Sequence, residues 1–196
     1  MANTQALLQG LEQTLAQLHP SILPKLNNGL SNSDIESVAA SLQLTFTTAI
    51  YDLFSWKNGI QHKAGDSPGQ LLLFSNGIPY TLAEAADQYK LLALSKHIIE
   101  TNYFPLFSSG NNDILVTDLD QASDTYSMIG LYSPALLGNN NVMTIYDSFA
   151  SMIQTAFACY LQKAYWIDQD SLVTDADSHY SIASGLNPNS AYWQFM

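Results

Sequence analysis

The sequence predicts an α+β fold in one domain, with a mixed, mostly antiparallel sheet flanked by helices. Three observations predict it. The first third carries apolar residues at the 3.6-residue period of helices. The middle holds short apolar runs divided by Gly, Pro and Asn turns. A long helical stripe then follows at 149–164. Helices, then strands, then a covering helix is an α+β order. With 196 residues the chain can bury one sizeable core but is short for two. Residues 1–30 are expected to form an N-terminal helix and connector, and residues 31–196 the α+β domain, in one compact unit.

Taken in order, Leu7, Leu8, Leu11, Thr14, Leu15 and Leu18 make one stripe of a helix over 5–18, which His19-Pro20 ends. Pro24, Asn27-Asn28 and Gly29 mark a connector. A second helix is expected from Ser33, with Glu36 three residues on as a capping box. Ile35, Val38, Ala39 and Leu42 line its inner face. Phe46, Ala49, Ile50, Leu53 and Phe54 define a third helix, and Trp56 anchors its end, its indole N–H requiring a partner. Asn58-Gly59 reads as a helix stop and turn, because Gly59 takes positive φ freely and Asn58 tolerates it.

Residues 60–70 read as a loop, Leu71-Leu72-Leu73-Phe74 as a short strand, and 75–79 as a turn. Thr81 and Glu84 form a second capping box, opening a helix to about Leu94. Phe104-Pro105-Leu106-Phe107 reads as extended, with Pro105 suggesting an edge position. Residues 113–119 and 127–132 read as strands joined by the acidic loop 120–125, and 142–145 as a further strand. Asp147 or Ser148 caps the last long helix. Its stripe is Phe149, Met152, Ile153, Ala156, Phe157, Tyr160, Leu161 and Ala164, ending near Trp166. Beyond it lie an acidic stretch, a short helix around 178–184, and the aromatics Tyr192, Trp193 and Phe195, expected to pack back onto the core.

Composition narrows function. There are 17 acidic residues against six Lys and no Arg, a net charge of −11. Arg is the usual residue for bidentate phosphate and base-edge contacts. The balance therefore argues against nucleic acid or an anionic membrane as partner, and for a basic protein. No apolar run approaches a membrane span. Met1-Ala2-Asn3-Thr4-Gln5 lacks the basic start of a signal peptide, and the single cysteine, Cys159, forms no internal disulfide. The expected compartment is the cytoplasm.

Catalytic and metal motifs are sparse. The chain has no Gly-rich phosphate loop and no Gly-x-Ser-x-Gly elbow. His19, His62, His97 and His179 are scattered. Cys159 adjoins a buried stripe and reads as a small hydrophobe. Asp168, Asp170, Asp175 and Asp177 begin like a calcium loop. Val173 stands where the obligatory Gly belongs and His179 where the bidentate Glu belongs, so a solvated acidic turn is expected. Asp113, Asp118, Asp120 and Asp124 surround the central hairpin; as a binding site they would be an exposed acidic rim facing a basic partner.

Four segments, in order, resemble the SUKH superfamily, the group containing the yeast cell-wall assembly regulator and many bacterial toxin-immunity proteins. Ile50-Tyr51-Asp52-Leu53-Phe54-Ser55-Trp56-Lys57-Asn58-Gly59-Ile60 is similar to its helix end, and Thr81-Leu82-Ala83-Glu84-Ala85-Ala86 to its next helix start. Tyr103-Phe104-Pro105-Leu106-Phe107, a Gly/Asn turn and 113–118 resemble its central hairpin. Tyr146-Asp147-Ser148-Phe149 resembles the opening of its last helix. These segments span roughly residues 33–166, plus the Asn187-Pro188 and Tyr192-Trp193 tail; residues 5–18 lie outside. Leu42-Gln43-Leu44-Thr45 lacks the usual Pro, and Lys57 stands for a commoner Arg or His.

The resemblance implies a mixed sheet flanked by helices and a non-catalytic, protein-binding role without metal or cofactor. Trp56, Asn58, Gly59, Glu84 and Pro105 would be structural motif positions. The partner it implies is a toxin with a basic surface, such as a nuclease, bound by a monomer or weak dimer. The alternative is a regulatory or scaffold protein of the cell-wall regulator type.

Overall fold

The computed structural model describes residues 4–137 and 141–194. Its helices are α1 (Thr4–Leu18), α2 (Asn32–Leu42), α3 (Thr48–Trp56), α4 (Leu82–Tyr89), the single turn α5 (Pro134–Leu137), α6 (Phe149–Leu161) and α7 (Ala176–Leu186). Its strands are β1 (Leu26–Asn28), β2 (Lys57–Ile60), β3 (Ile78–Pro79), β4 (Tyr103–Ser108), β5 (Ile114–Asp118), β6 (Ile129–Tyr132), β7 (Val142–Tyr146), β8 (Tyr165–Asp168) and β9 (Ser171–Thr174). This is an α+β domain. None of the described helices is long and apolar enough to cross a membrane.

The main sheet runs β3-β4-β5-β6-β7. Every strand pair in it is antiparallel, so the expected mixed character is absent. β1–β2 and β8–β9 form two further antiparallel pairs. Leu8, Leu11 and Leu15 of α1 are buried, and α1 packs on α3 and α6. α4 lies over β4, where Tyr89 meets Phe104 at 5.9 Å between ring centroids.

The helical third follows its periodicity, with local shifts. α2 is capped by Ser31, whose Oγ accepts the Asp34 N–H at 3.2 Å, two residues before the Ser33/Glu36 box expected. Asp34 adds its charge at the helix N-terminus, which favours that start. α3 does not end in a turn. Lys57 is extended and the chain passes straight into β2. Residues 71–74 are not a strand: Leu71, Leu73 and Phe74 are buried from an irregular loop. There the Leu73 carbonyl accepts the Tyr160 hydroxyl at 2.8 Å, so the backbone is satisfied without a ladder. The strand lies instead at Ile78–Pro79, inside the expected turn. α4 continues to Ser95 as a wider π-helical turn.

Pro105 also differs from expectation, since β4 is not an edge strand. β3 reaches only Phe107 and Ser108, with the Tyr80 N–H donating to Leu106 O. Pro105 lies beyond that overlap, and the β4–β5 register shifts between Pro105 and Phe107. Its missing N–H therefore costs the ladder little.

The end of the chain holds the largest departure. α6 stops at Leu161, Lys163 takes φ +60°, and a hairpin, β8–β9, follows where the stripe predicts helix to Trp166. Gln169 and Asp170, both at positive φ, make its two-residue turn, as hairpins of this length require. Tyr192 and Trp193 pack back as expected, while Phe195 lies outside the described residues. The tail covers the β7 edge: Ser190 Oγ donates to Thr144 O at 2.8 Å and Trp193 Nε1 to Ile145 O at 2.6 Å.

Candidate protein-binding surface

The first two resembling segments meet in one corner. Trp56 is half-buried, and its Nε1–H donates to Glu12 of α1 at 2.7 Å. Lys57 pairs with the same carboxylate at 3.0 Å. Partial burial works against ionisation of Glu12, but the hydrogen bonds from Trp56 and Lys57, with the Lys57 charge, outweigh it and hold its pKa down. Asn58 Oδ1 accepts the Leu82 N–H at 2.8 Å, and Asn58 O accepts Asn27 Nδ2–H at 2.9 Å. Gly59 has φ +73°, and a Cβ there would lie 2.3 Å from Thr81 N. Glu84 Oε2 takes the Thr81 N–H at 2.7 Å and the Thr81 hydroxyl at 2.9 Å. Trp56, Asn58, Gly59 and Glu84 thus lock α1, β2 and the start of α4 together. Their polar atoms serve the fold.

The four aspartates proposed as a rim do not form one surface. Asp118 is 1% exposed. Its carboxylate accepts Asn102 Nδ2–H at 2.7 Å, Thr125 Oγ1–H at 2.7 Å and the Asp120 N–H at 2.9 Å. Burial alone would raise its pKa, yet these donors, Thr125 first, hold it below the usual carboxylate range. Asp118 is therefore an internal anchor for the 119–128 loop, not an exposed rim residue. Asp120 and Asp124 are exposed on that loop. Asp113, partly exposed, lies at the opposite end of β5, about 17 Å away at the rise of an antiparallel strand. The rim reduces to Asp120 and Asp124, with Asp113 apart.

The remaining titratable groups are dispersed. Burial pushes the Cys159 thiol up to about 11, which disfavours the thiolate a nucleophile needs. His179 is buried between the Tyr165 and Trp193 rings, and that burial pushes it down to about 4. His19 is fully buried and shifted down by desolvation first. His62 and His97 are exposed. Asp168 and Asp170 sit at the β8–β9 tip, and Asp175 and Asp177 at the start of α7. No described group of three or more His, Cys, Asp or Glu is arranged to hold a metal ion.

Among the concave surfaces of the described residues, one lies beside the motif corner and another at the end of α6. The first is a groove of about 340 Å³, lined by His62, Ile78, Tyr80, Glu84, Asp87 and Gln88. It adjoins a smaller one, of about 250 Å³, with which it shares Tyr80 and Gln88. The other, of about 660 Å³, is apolar and runs between the ends of α1 and α6 and the outer edge of β8. Leu18, Leu161 and Trp166 are 46%, 61% and 44% exposed there. The sequence pattern does not show this groove, because Leu161 falls in a continuous inward stripe and Trp166 reads as a helix end. The exposed Asp168 two residues after Trp166 was the available signal of a strand face.

The chain matches no protein-family model and no curated protein.

Proposed function

We propose that this chain is a non-catalytic, SUKH-type protein-binding domain of the immunity kind, which neutralises a toxin carrying a basic surface. The observation that carries the reading is the charge distribution. The net charge is −11 without a single Arg. Three of the six lysines, Lys25, Lys57 and Lys90, are already in ion pairs with the chain's own carboxylates. Asp120 and Asp124 stand exposed on a loop pinned by Asp118. A preorganised acidic loop draws in a basic partner quickly and loses little entropy on docking. The order of the four SUKH-like segments supports the same reading, as does the use of their polar residues in the fold.

Affinity capture with this chain as bait, washed through a salt series, tests it. One stoichiometric basic partner, released as salt rises and toxic to cells lacking this chain, is the expected result. Several substoichiometric partners would favour the scaffold alternative. A captured partner that is acidic, or harmless without this chain, would overturn the immunity reading.

A further inference from the structure

We propose that the outer edge of β8 and its apolar groove bind a second copy of this chain, by antiparallel β8–β8 pairing about a two-fold axis. Among the described residues the β8–β9 sheet has only two strands, and none of those residues pairs with β8 on its outer side. The hairpin register decides which groups face outward. Asp168 pairs with Ser171 across a two-residue turn, and Trp166 pairs with Val173. These are the hydrogen-bonded pairs of such a hairpin, and the Asp175 N–H donating to Ala164 O at 2.9 Å keeps the same phase. The main-chain groups of Tyr165 and Ile167 therefore point away from β9.

A two-fold pairing that uses those groups has one natural register. Tyr165 of each copy faces Ile167 of the other, and Trp166 meets Trp166 on the axis. That central pair is of the non-hydrogen-bonded kind, in which side chains approach most closely. The exposed Leu18 and Leu161 flank the axis on each copy.

Charge selects the occupant. Lys163 lines the groove, is exposed, and is in no ion pair among the described residues. Asp168 and Asp170 stand at the other end of the same short strand. Antiparallel pairing brings Lys163 of each copy beside Asp168 and Asp170 of the other, twice by symmetry. The edge is thus self-complementary, as an isologous interface must be. A four-residue strand and one groove fall short of a standard interface of about 1,600 Å², so the association is weak and reversible. Two copies of net charge −11 also repel, and salt screens that repulsion.

Sedimentation velocity on the full chain, from low micromolar to near-millimolar, tests the pairing. The expected result is a monomer–dimer equilibrium that tightens as salt is raised from low to physiological. K163E should weaken it about tenfold, because it sets like charges across both symmetric contacts. K163E/D168K should recover most of that loss, and W166A should leave monomer. Lys163 and Trp166 are exposed, so unchanged melting temperatures will show that the variants fold. A chain monomeric throughout overturns the proposal, and protection of β8 by a foreign protein would then assign the groove to another partner. A dimer indifferent to K163E and W166A overturns it equally. The test is independent of the immunity reading, since it needs no toxin.

Discussion

Asn58 Oδ1 accepts the main-chain N–H of Leu82, the first residue of α4, at 2.8 Å across 24 positions of sequence. Thr81 and Glu84 cap the same helix locally, as a capping box. α4 is therefore capped twice, once locally and once from β2. Asn58→Ala removes the distant acceptor and leaves a partly buried donor unpaired, a loss of about 1–2 kcal/mol. Asn58→Asp keeps an acceptor at a helix N-terminus and should cost less. Urea unfolding of both variants checks the order.

Gly59 should tolerate substitution less well than Asn58. A Cβ at φ +73° would sit 2.3 Å from Thr81 N and 2.6 Å from Tyr80 C, both backbone atoms. Gly59→Ala is expected to cost about 3 kcal/mol or more, since strain and displacement of α4 add. The unfolding midpoint in the same titration reads it directly.

Asp118 sets a pH dependence at the acid end. Its native pKa lies below the ordinary value, so its contribution is present above the unfolded Asp pKa of about 3.9 and is lost as pH falls through the lower native value. Asp118→Asn places an amide where Thr125, Asn102 and the Asp120 N–H all donate. The expected cost near neutral pH is about 1–3 kcal/mol, with a shallower acid limb in the melting-temperature profile.

His179 acts in a higher window. Its native pKa of about 4 lies below the unfolded value of about 6.5. The unfolded chain takes up protons first, so stability is full above 6.5 and declines as pH falls towards 4. His179→Phe should flatten that decline, provided the ring still fits between Tyr165 and Trp193. Melting temperatures measured across the window decide it.

For the partner contact, Asp120→Asn/Asp124→Asn should leave stability unchanged, because both side chains are exposed. It should slow association with the captured partner several-fold at low salt, with little change in dissociation. Asp113→Asn, at the far end of β5, should matter less. Stopped-flow or surface binding kinetics at two salt concentrations separate the two sites.

The helical periods and the Thr81/Glu84 capping box were readable from sequence because they depend on neighbours three and four residues away. The β8–β9 hairpin was not. Phe157, Tyr160, Leu161 and Ala164 keep helical phase past the true end of α6. Lys163 terminates it in the left-handed region without the Gly or Asn that signals such a stop. The Gln169-Asp170 turn likewise lacks the usual Asn-Gly chemistry. At the candidate site, Asp118, Asp120 and Asp124 look alike in sequence. Only the donors brought in by Asn102 and Thr125 make the first an internal anchor.

The tail laid over β7 has a further consequence. Asn187 Oδ1 accepts the Asp147 N–H, Ser190 Oγ donates to Thr144 O and Trp193 Nε1 donates to Ile145 O, so side chains stand in for a sixth strand. Proteolytic trimming before Asn187 would strip that guard and bare a row of main-chain donors and acceptors beside an apolar face. Such a shortened chain, which also loses the buried Trp193, should seed fibrillar aggregates.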